Sequence, residues 1–383
     1  MLIQIHILQN YAPANLNRDD TGSPKDAYFG GVRRGRISSQ CLKRSIRKSE
    51  TFAEAFKDAG LVGIRTKNLP DLIAEQLDEL NVDADTKEAI LARVPEIGKE
   101  SKKKGDEKAD SNETESDTEV EEKAATRQLI FIGANELRPL AEKLLAEFWR
   151  LGAAGWKKAK IGDITKALGS SLPRSVDIAL FGRMTTSAAF EDVQAAAQVA
   201  HAISTNALTQ EFDYYTAVDD ISGESGAGMT EMIGDIEFNS STYYKYLNVH
   251  WEGLVNNLGG DINVARQAVL ALVEAAATAH PTGKQNSFAA FNLPDLVLIE
   301  VTPKNLPVSY ANAFLKPAHA NGTHSIVEDS CEKLADYLQR ITKAFNLNGK
   351  RAFVTTQDCS IPNAEAKISL QDLKTWLAEK LPR

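Results

Sequence analysis

The sequence has few cysteines and no long hydrophobic run. Its three cysteines, Cys41, Cys331 and Cys359, are widely separated and show neither a CxxC spacing nor a Cys/His spacing typical of metal ligands. We therefore expect them to be reduced and structural. No stretch approaches the roughly 20 consecutive apolar residues of a membrane span, and the amino terminus lacks the basic segment of a signal peptide. These absences predict a cytoplasmic protein with no membrane contact.

Histidine is also sparse, and the common catalytic patterns are missing. The six histidines are dispersed, with no Ser/His/Asp arrangement and no spacing suited to a metal ion. His201 falls in an apolar stretch, which favours a core position over a catalytic one. We therefore predict no catalytic residue, no metal and no cofactor.

The chain lacks the excess of positive charge that nucleic-acid-binding proteins usually carry, since its formal net charge is −8. Residues 101–123 account for much of this value. They contain nine acids and five lysines, a net charge of −4, which leaves −4 for the rest of the chain. Because local fields matter more than the sum, the total does not exclude a polyanionic partner.

Acidic residues are absent from residues 27–49, where positive charge is concentrated. Seven like charges repel one another, and a polyanion would relieve that repulsion while each neutralised phosphate releases counterions. A solvated helix face is the alternative interpretation. We favour phosphate binding because the loop and the following helix are both basic and neutral donors lie at their junction. The basic residues are Arg33, Arg34, Arg36, Lys43, Arg44, Arg47 and Lys48, and the neutral donors are Ser38, Ser39 and Gln40.

Hydrophobic periodicity predicts an α+β fold with insertions. Residues 2–8 alternate apolar and polar side chains, as in a strand, and residues 10–36 have the composition of a long surface loop. Residues 39–59 are predicted to form one helix with an apolar face and a cationic face. Residues 101–123 have almost no apolar side chains and are predicted to be a disordered loop.

The remaining elements follow from the same patterns. Their predicted ranges are helices at 70–98, 125–168, 190–207, 262–279, 331–345 and 370–381, strands at 241–249, 288–291 and 296–301, and a hairpin at 210–239.

Several segments together resemble the CasC family, the backbone subunit of type I-E CRISPR Cascade complexes. The resemblance spans most of the chain and fades across residues 60–170. The segments that carry it are 15–20 (NLNRDD), 25–31 (KDAYFGG), 36–44 (RISSQCLKR), 177–184 (DIALFGRM), 214–220 (YYTAVDD), 283–285 (GKQ) and 289–292 (AAFN).

The resemblance implies a hand-shaped protein. Its palm would be a modified RNA-recognition (ferredoxin-like) fold, with an inserted helical finger domain and a protruding thumb hairpin. The implied divisions are a palm at 1–59, 178–209 and 240–383, a helical finger insertion at 60–177 and a thumb at 210–239.

The resemblance further implies that several copies of the chain coat one CRISPR guide RNA, which pairs with target DNA, alongside other Cascade subunits. Met184 would wedge against a base where the guide is kinked, although a core position is the simpler reading of a methionine. Tyr214 and Tyr215 would stack on bases or anchor the thumb. With the basic stretch above, the implied RNA-binding set is completed by Arg18, Lys25, Arg183, Met184, Tyr214, Tyr215, Thr216, Lys284 and Gln285.

Two other functions stay open at the level of sequence. Related backbone subunits use a loop aspartate and a divalent metal to cleave RNA, and Asp19, Asp20 and Asp26 lie in the predicted loop. The simpler role for these aspartates is to form a turn or to pair with Arg18 or Lys25. A free-standing RNA-binding protein without fixed partners is the other alternative.

Overall fold

The computed structural model describes residues 1–57, 60–97, 129–168, 174–185, 190–218 and 230–383. The predicted disordered loop at 101–123 lies outside these ranges. The described chain forms two compact units. We call the first the sheet unit (Met1–Ala55, Ala197–Glu252 and Ile262–Arg383) and the second the helical unit (Phe56–Ala196 and Gly253–Asp261).

The strands of the sheet unit form one large sheet. They are β1 (Leu2–Ala14), β2 (Asp26–Phe29), β3 (Val32–Ile37), β6 (Ala197–Val199), β7 (Ala202–Ser204), β8 (Glu211–Val218), β9 (Thr230–His250), β10 (Leu296–Thr302), β11 (Lys350–Thr355) and β12 (Glu365–Ala366). Their order is β12-β11-β10-β1-β9-β7-β3-β2, with β6 and β8 also paired to β9. All pairs are antiparallel except β11 with β12.

The alternation in β1 sets the register at the centre of this sheet. Ile5 lies opposite Leu247 on one neighbour and Ile299 on the other. Leu8 belongs to the opposite face, where it joins a buried cluster that includes Leu334. Successive side chains of a strand point to opposite faces, so β1 contributes to both. The α+β class is therefore confirmed.

The helices of the sheet unit are α1 (Ser39–Lys48), α2 (Glu50–Glu54), α9 (Ile262–Thr278), α10 (Gln285–Phe288), α11 (Ile326–Phe345) and α12 (Leu370–Lys380). The single helix predicted at 39–59 is wrong, because it is interrupted at Ser49. This residue is extended and its Oγ accepts a hydrogen bond from the Phe52 N–H, so it caps α2 instead of continuing α1.

The helical unit contains β4 (Gly63–Thr66), α3 (Leu69–Glu79), α4 (Ala84–Leu91), β5 (Ile130–Gly133), α5 (Ala134–Lys158), α6 (Ile161–Leu168) and α7 (Val176–Phe181). Its core packs α5 side chains such as Leu140 and Leu144 against Ile73 and Leu77 of α3. The short helix α8 (Trp251–Asn257) continues from β9. Among the described residues, no helix has both the length and the apolar character needed to cross a membrane.

Three further sequence predictions are wrong. Residues 10–36 are not one surface loop, because β1 extends to Ala14 and the hairpin of β2 and β3 begins at Asp26. Residues 190–207 contain β6 and β7 instead of a helix, although their alanines favour helix; pairing with β9 outweighs that weak propensity. Residues 288–291 are not a strand, because α10 precedes a turn in which Ala289 is left-handed. The hairpin predicted at 210–239 corresponds to β8 and the first part of β9, paired from Glu211–Phe238 to Val218–Thr230.

Candidate nucleic-acid interface

An open groove of about 740 Å³ lies in the sheet unit. The loop after β1, helix α1, the end of α9 and the segment before β10 form its walls. Its lining residues are Leu16, Asn17, Arg18, Ser38, Gln40, Cys41, Arg44, Ser45, Lys48, Ser49, Glu50, Thr51, Thr278, Ala279, His280, Thr282, Gly283 and Phe291.

Helix α1 supplies the cations of one wall. Leu42 and Ile46 are buried, which leaves Arg44 and Lys48 exposed one turn apart on the opposite face. The helix starts at Ser38, whose Oγ accepts a hydrogen bond from the Cys41 N–H. The groove residues Arg44 and Lys48 therefore have a fixed helical backbone beneath them.

Backbone packing forms the opposite wall. A Cβ at Gly283 would lie 2.4 Å from the Leu16 carbonyl oxygen and 2.6 Å from that of Asn15, so a larger residue would push the two segments apart. Arg18, in the loop beyond Leu16, also lines the groove and is exposed. Among the described lining residues, the cations of Arg18, Arg44 and Lys48 outnumber the carboxylate of Glu50, so the lining is suited to an anion.

Asp19, in a loop, and Asp26, at the start of β2, both have structural partners. The Thr21 hydroxyl donates to the Asp19 Oδ1 at 2.8 Å, and the N–H groups of Ser23 and Thr21 donate to the same oxygen at 3.0 Å. These bonds, the hydroxyl bond most strongly, lower the pKa of this exposed carboxyl. Asp26 pairs with Arg33, not with Arg18 or Lys25 as expected. Asp19 therefore closes a turn. No cluster of three or more potential metal ligands occurs among the residues that the structure describes.

Arg34 is a correction to the predicted phosphate-binding set. Its side chain has no solvent exposure. The guanidinium donates to the carbonyl oxygens of Ser204 at 3.0 Å, Thr205 at 2.7 Å and Phe314 at 2.7 Å. It therefore ties strand ends together inside the protein, where no phosphate reaches it.

Arg47 is also buried, contrary to its expected place on the cationic face of α1. Ser38 is buried and acts as the helix cap. Ser39 and Gln40 are more accessible, and Gln40 lines the groove. Lys43 is half-buried and is not part of the groove lining.

Arg33 and Arg36 lie on β3 and are held by protein groups. Arg33 donates to the Asp26 carboxylate and to the Gln210 Oε1 at 2.6 Å. Arg36 donates to the Asp26 carbonyl oxygen at 3.0 Å and lies 3.4 Å from His201 Nδ1. His201 is exposed, so its predicted core position is wrong. Partial burial is the main reason why the pKa of His201 is lowered, and the nearby cations of Arg36 and Lys25 lower it further.

Lys284 and Gln285 follow the groove residue Gly283 directly. The Gln285 side chain donates to the Pro281 carbonyl oxygen at 3.0 Å and accepts from the Ala290 N–H at 2.8 Å. These bonds make Gln285 a turn-forming residue, and its RNA contact stays a prediction. Lys284 and Lys25 are both half-buried.

Arg183 and Met184 belong to the helical unit and differ sharply in solvent exposure. Arg183 is buried and donates to the Glu136 carboxylate at 2.7 and 2.9 Å, so its predicted RNA contact is corrected to a core ion pair. Met184 is 94% exposed, which excludes the core position considered for it.

Tyr214, Tyr215 and Thr216 lie on β8 and are exposed. Tyr214 shares one face of the hairpin with Phe212, which is also exposed. The tip between β8 and β9, residues 219–229, lies outside the described residues.

Sequence reasoning missed two aromatic groups of the groove, His280 and Phe291. Their rings are 5.5 Å apart and nearly perpendicular. Phe291 is 60% exposed, so a large apolar ring lies open in a groove whose lining also carries cations. The family segment 289–292 contained this residue, but neither periodicity nor charge distinguishes an exposed phenylalanine from a core one.

A buried lysine lies behind the groove and is connected to it through the side chain of Tyr11. Lys245 of β9 is 3.3 Å from the Tyr11 hydroxyl, which in turn is 3.5 Å from the Nδ1 of the groove residue His280. Lys245 also donates to Gln9. Burial lowers the pKa of Lys245 from 10.5 to about 7.

The Lys245 amine binds its proton more weakly in the folded chain than in the unfolded chain. Below pH 7, where the amine is protonated in both states, Lys245 therefore destabilises the fold. This penalty is relieved as the pH rises from about 7 towards 10.5. Wild-type stability should therefore gain up to ~1.4 kcal/mol per pH unit in this window from Lys245. Lys245→Met should lack this gain, whereas Lys350→Met, at an exposed lysine, should retain it. Urea unfolding at pH 7, 8 and 9 measures the slopes; equal slopes in all three proteins would contradict the assignment.

Comparison with known proteins places the chain in a family. The family model described as CT1975-like protein matches residues 3–379. One chain of a structure entitled "CRISPR RNA-guided surveillance complex, pre-nicking" is 31% identical, with a TM-score of 0.79 and full coverage of both chains. A chain of another "CRISPR RNA-guided surveillance complex" is 26% identical, with a TM-score of 0.69 and coverage of 99% of this chain and 100% of that chain. No curated protein matches.

The matches extend over the sheet and helical units alike, so they do not rest on one common motif. They agree with the resemblance to the CasC family that the motifs between residues 15 and 292 indicated, and this resemblance is confirmed. The chain belongs to the CT1975-like protein family.

Proposed function

We propose that this chain is a guide-RNA-binding backbone subunit of a Cascade-type CRISPR complex and that it does not cleave RNA. The observation that carries the proposal is the basic groove, in a chain that matches surveillance-complex subunits along its whole length. Arg18, Arg44 and Lys48 would hold guide phosphates. Contacts of this kind fix the position of a strand without reading its sequence, as a protein that serves any guide requires.

The strand order supports a modified RNA-recognition palm. Four strand positions of the palm occur along the chain in the order β1, β6–β7, β9 and β10, with α1 between the first two and α9 between the last two. In the sheet these strands lie side by side in the order β10-β1-β9-β6/β7. This is the βαββαβ arrangement of ferredoxin-like and RNA-recognition folds. The palm departs from a simple module because α11 packs against the sheet and β11 and β12 extend it.

We further propose that copies of the chain assemble along one guide, with the β8–β9 hairpin as the thumb. Exposed Phe212, Tyr214 and Tyr215 would stack on bases independently of sequence, and Met184 would act as a wedge. Target DNA would then be recognised by pairing with the guide and not by the protein.

This spacing function predicts a periodic pattern of base reactivity along the guide. Each subunit would displace the guide in the same way, so chemical probing of an assembled guide should give one repeat per subunit. Replacing residues 212–236 by a short Gly-Ser linker should abolish the repeat and impair assembly, while binding through the groove of a single chain persists. A flat profile in the unaltered assembly would contradict the thumb as a spacer.

The metal-dependent ribonuclease remains the competing function. Adding Mg²⁺ or Mn²⁺ to the assembled chain with a complementary target RNA should give no cleavage, because Asp19 and Asp26 are engaged by a turn and by Arg33. Cleavage that Asp26→Ala abolishes would establish the ribonuclease instead. A gel assay with labelled RNA, with EDTA as the control, distinguishes the two.

A further inference from the structure

The backbone on both sides of Phe291 is anchored. The Gln285 side chain accepts from the Ala290 N–H at 2.8 Å and donates to the Ala290 carbonyl oxygen at 3.3 Å. On the other side, the Asn292 carbonyl oxygen accepts from the Gln9 side chain, and the Asn292 Oδ1 accepts from the Ala12 N–H at 3.1 Å. The backbone at Phe291 is therefore held in place, so little backbone entropy is lost when a ligand contacts this residue.

The ring of Phe291 is nevertheless left largely uncovered. It is 60% exposed, and a perpendicular contact with His280 supports it within the groove lining. A phenylalanine that served only the core would be buried, whereas this ring is exposed above an anchored backbone. The exposed ring on an anchored backbone is the arrangement of an aromatic platform that is present before its ligand binds.

The charges around the ring restrict what that ligand is. His280 stays neutral at physiological pH, because burial and the neighbouring Lys245 lower its pKa to about 4. The cations of the groove are instead on Arg18, Arg44 and Lys48. A ligand that fills both regions has a flat, neutral aromatic part and anionic parts beside it, which is the chemistry of a nucleotide.

We propose that Phe291, backed by His280, is a stacking site for one nucleobase of the bound RNA. The proposal rests on the proposed function, since it assumes that the sugar-phosphate chain occupies the groove. The cations of the groove would contact only phosphates. Phe291 would add a contact with a base. Any base can occupy this site, because every base presents a π-face.

The test compares normal RNA with a matched abasic strand. Purified full-length chain is titrated into a fluorescent single-stranded RNA and into an oligomer of the same length whose sugars carry no bases. Phe291→Leu keeps the apolar bulk and removes the aromatic face, whereas Phe291→Trp keeps a face. Wild type and both variants are measured at several salt concentrations, and their melting temperatures provide the folding control.

Phe291→Leu should weaken binding to normal RNA by roughly fivefold or more, since stacking on an aromatic side chain is worth about 1–3 kcal/mol per base. It should leave abasic binding and the salt slope unchanged, and Phe291→Trp should bind normal RNA like wild type. Equal losses on both strands, or no loss on normal RNA, would overturn the stacking site while leaving phosphate binding intact. If the wild-type chain binds neither the normal nor the abasic strand, the proposed function is overturned, and this site with it.

Discussion

Arg183→Ala is expected to lower the free energy of unfolding of the helical unit by about 3–5 kcal/mol, because it leaves a buried carboxylate without its partner. Glu136 has no solvent exposure, and its remaining hydrogen bond is from the Gly133 N–H at 2.6 Å. Urea unfolding at pH 7.5 measures the loss. Arg138→Ala is the matched control on the same helix as Glu136, because Arg138 forms an exposed pair with Glu142. Such a pair is worth only about 0.3–0.5 kcal/mol.

The effect of Arg183→Ala should also depend on pH. Burial raises the pKa of Glu136 even in the wild type, where Arg183 opposes the rise. Without Arg183 the pKa of this carboxyl rises further, and its protonated form needs no ionic partner. The difference between wild type and variant should therefore shrink as the pH falls from 7.5 to 5. A difference as small as that of Arg138→Ala, or one that grows at low pH, would contradict the buried ion pair.

The second large effect concerns the groove. The double variant Arg44→Ala/Lys48→Ala is expected to lose much of its affinity for single-stranded RNA, to a similar extent for unrelated sequences. Each lost phosphate contact should reduce the slope of log affinity against log salt by about 0.7, so the double variant should lose about 1.4. Anisotropy titrations between 50 and 300 mM salt measure both quantities.

Arg340→Ala/Lys343→Ala is the matched control for charge. It removes one arginine and one lysine from exposed positions of α11, the helix that packs on the other face of the sheet from Ile5. This variant should retain the wild-type slope and nearly the wild-type affinity. If the control loses as much as the groove variant, binding depends on overall charge and not on the groove.

The sequence predicted the α+β class, the central strand and the basic helix, because these depend on local periodicity and composition. The alternation of residues 2–8 identified the strand, although it predicts one wetter face and the structure buries Gln4 and His6 as well. The acid-free stretch includes the exposed Arg44 and Lys48. Neither inference required knowledge of distant contacts.

The largest errors depend on partners distant in the sequence, whereas the helix break at Ser49 comes from a local hydrogen bond with the Phe52 N–H. Arg34 was predicted at the surface because a basic run ordinarily is, yet carbonyl groups some 170 residues away enclose its guanidinium. Arg183 was assigned to RNA by family position, whereas the structure pairs it with Glu136. Pairing with β9 likewise converted an alanine-rich stretch into β6 and β7. Charge and propensity fix what a residue favours in isolation, and tertiary contacts decide whether it stays exposed.

The most direct test of guide-RNA binding is to sequence the RNA that co-purifies with the full-length chain from cells that carry its CRISPR locus. A backbone subunit that coats guides should yield RNAs of uniform length, each with a constant repeat-derived part joined to a variable spacer. The Arg44→Ala/Lys48→Ala variant should recover much less of this RNA. Fragments of unrelated cellular transcripts with no common length or repeat sequence would contradict the account.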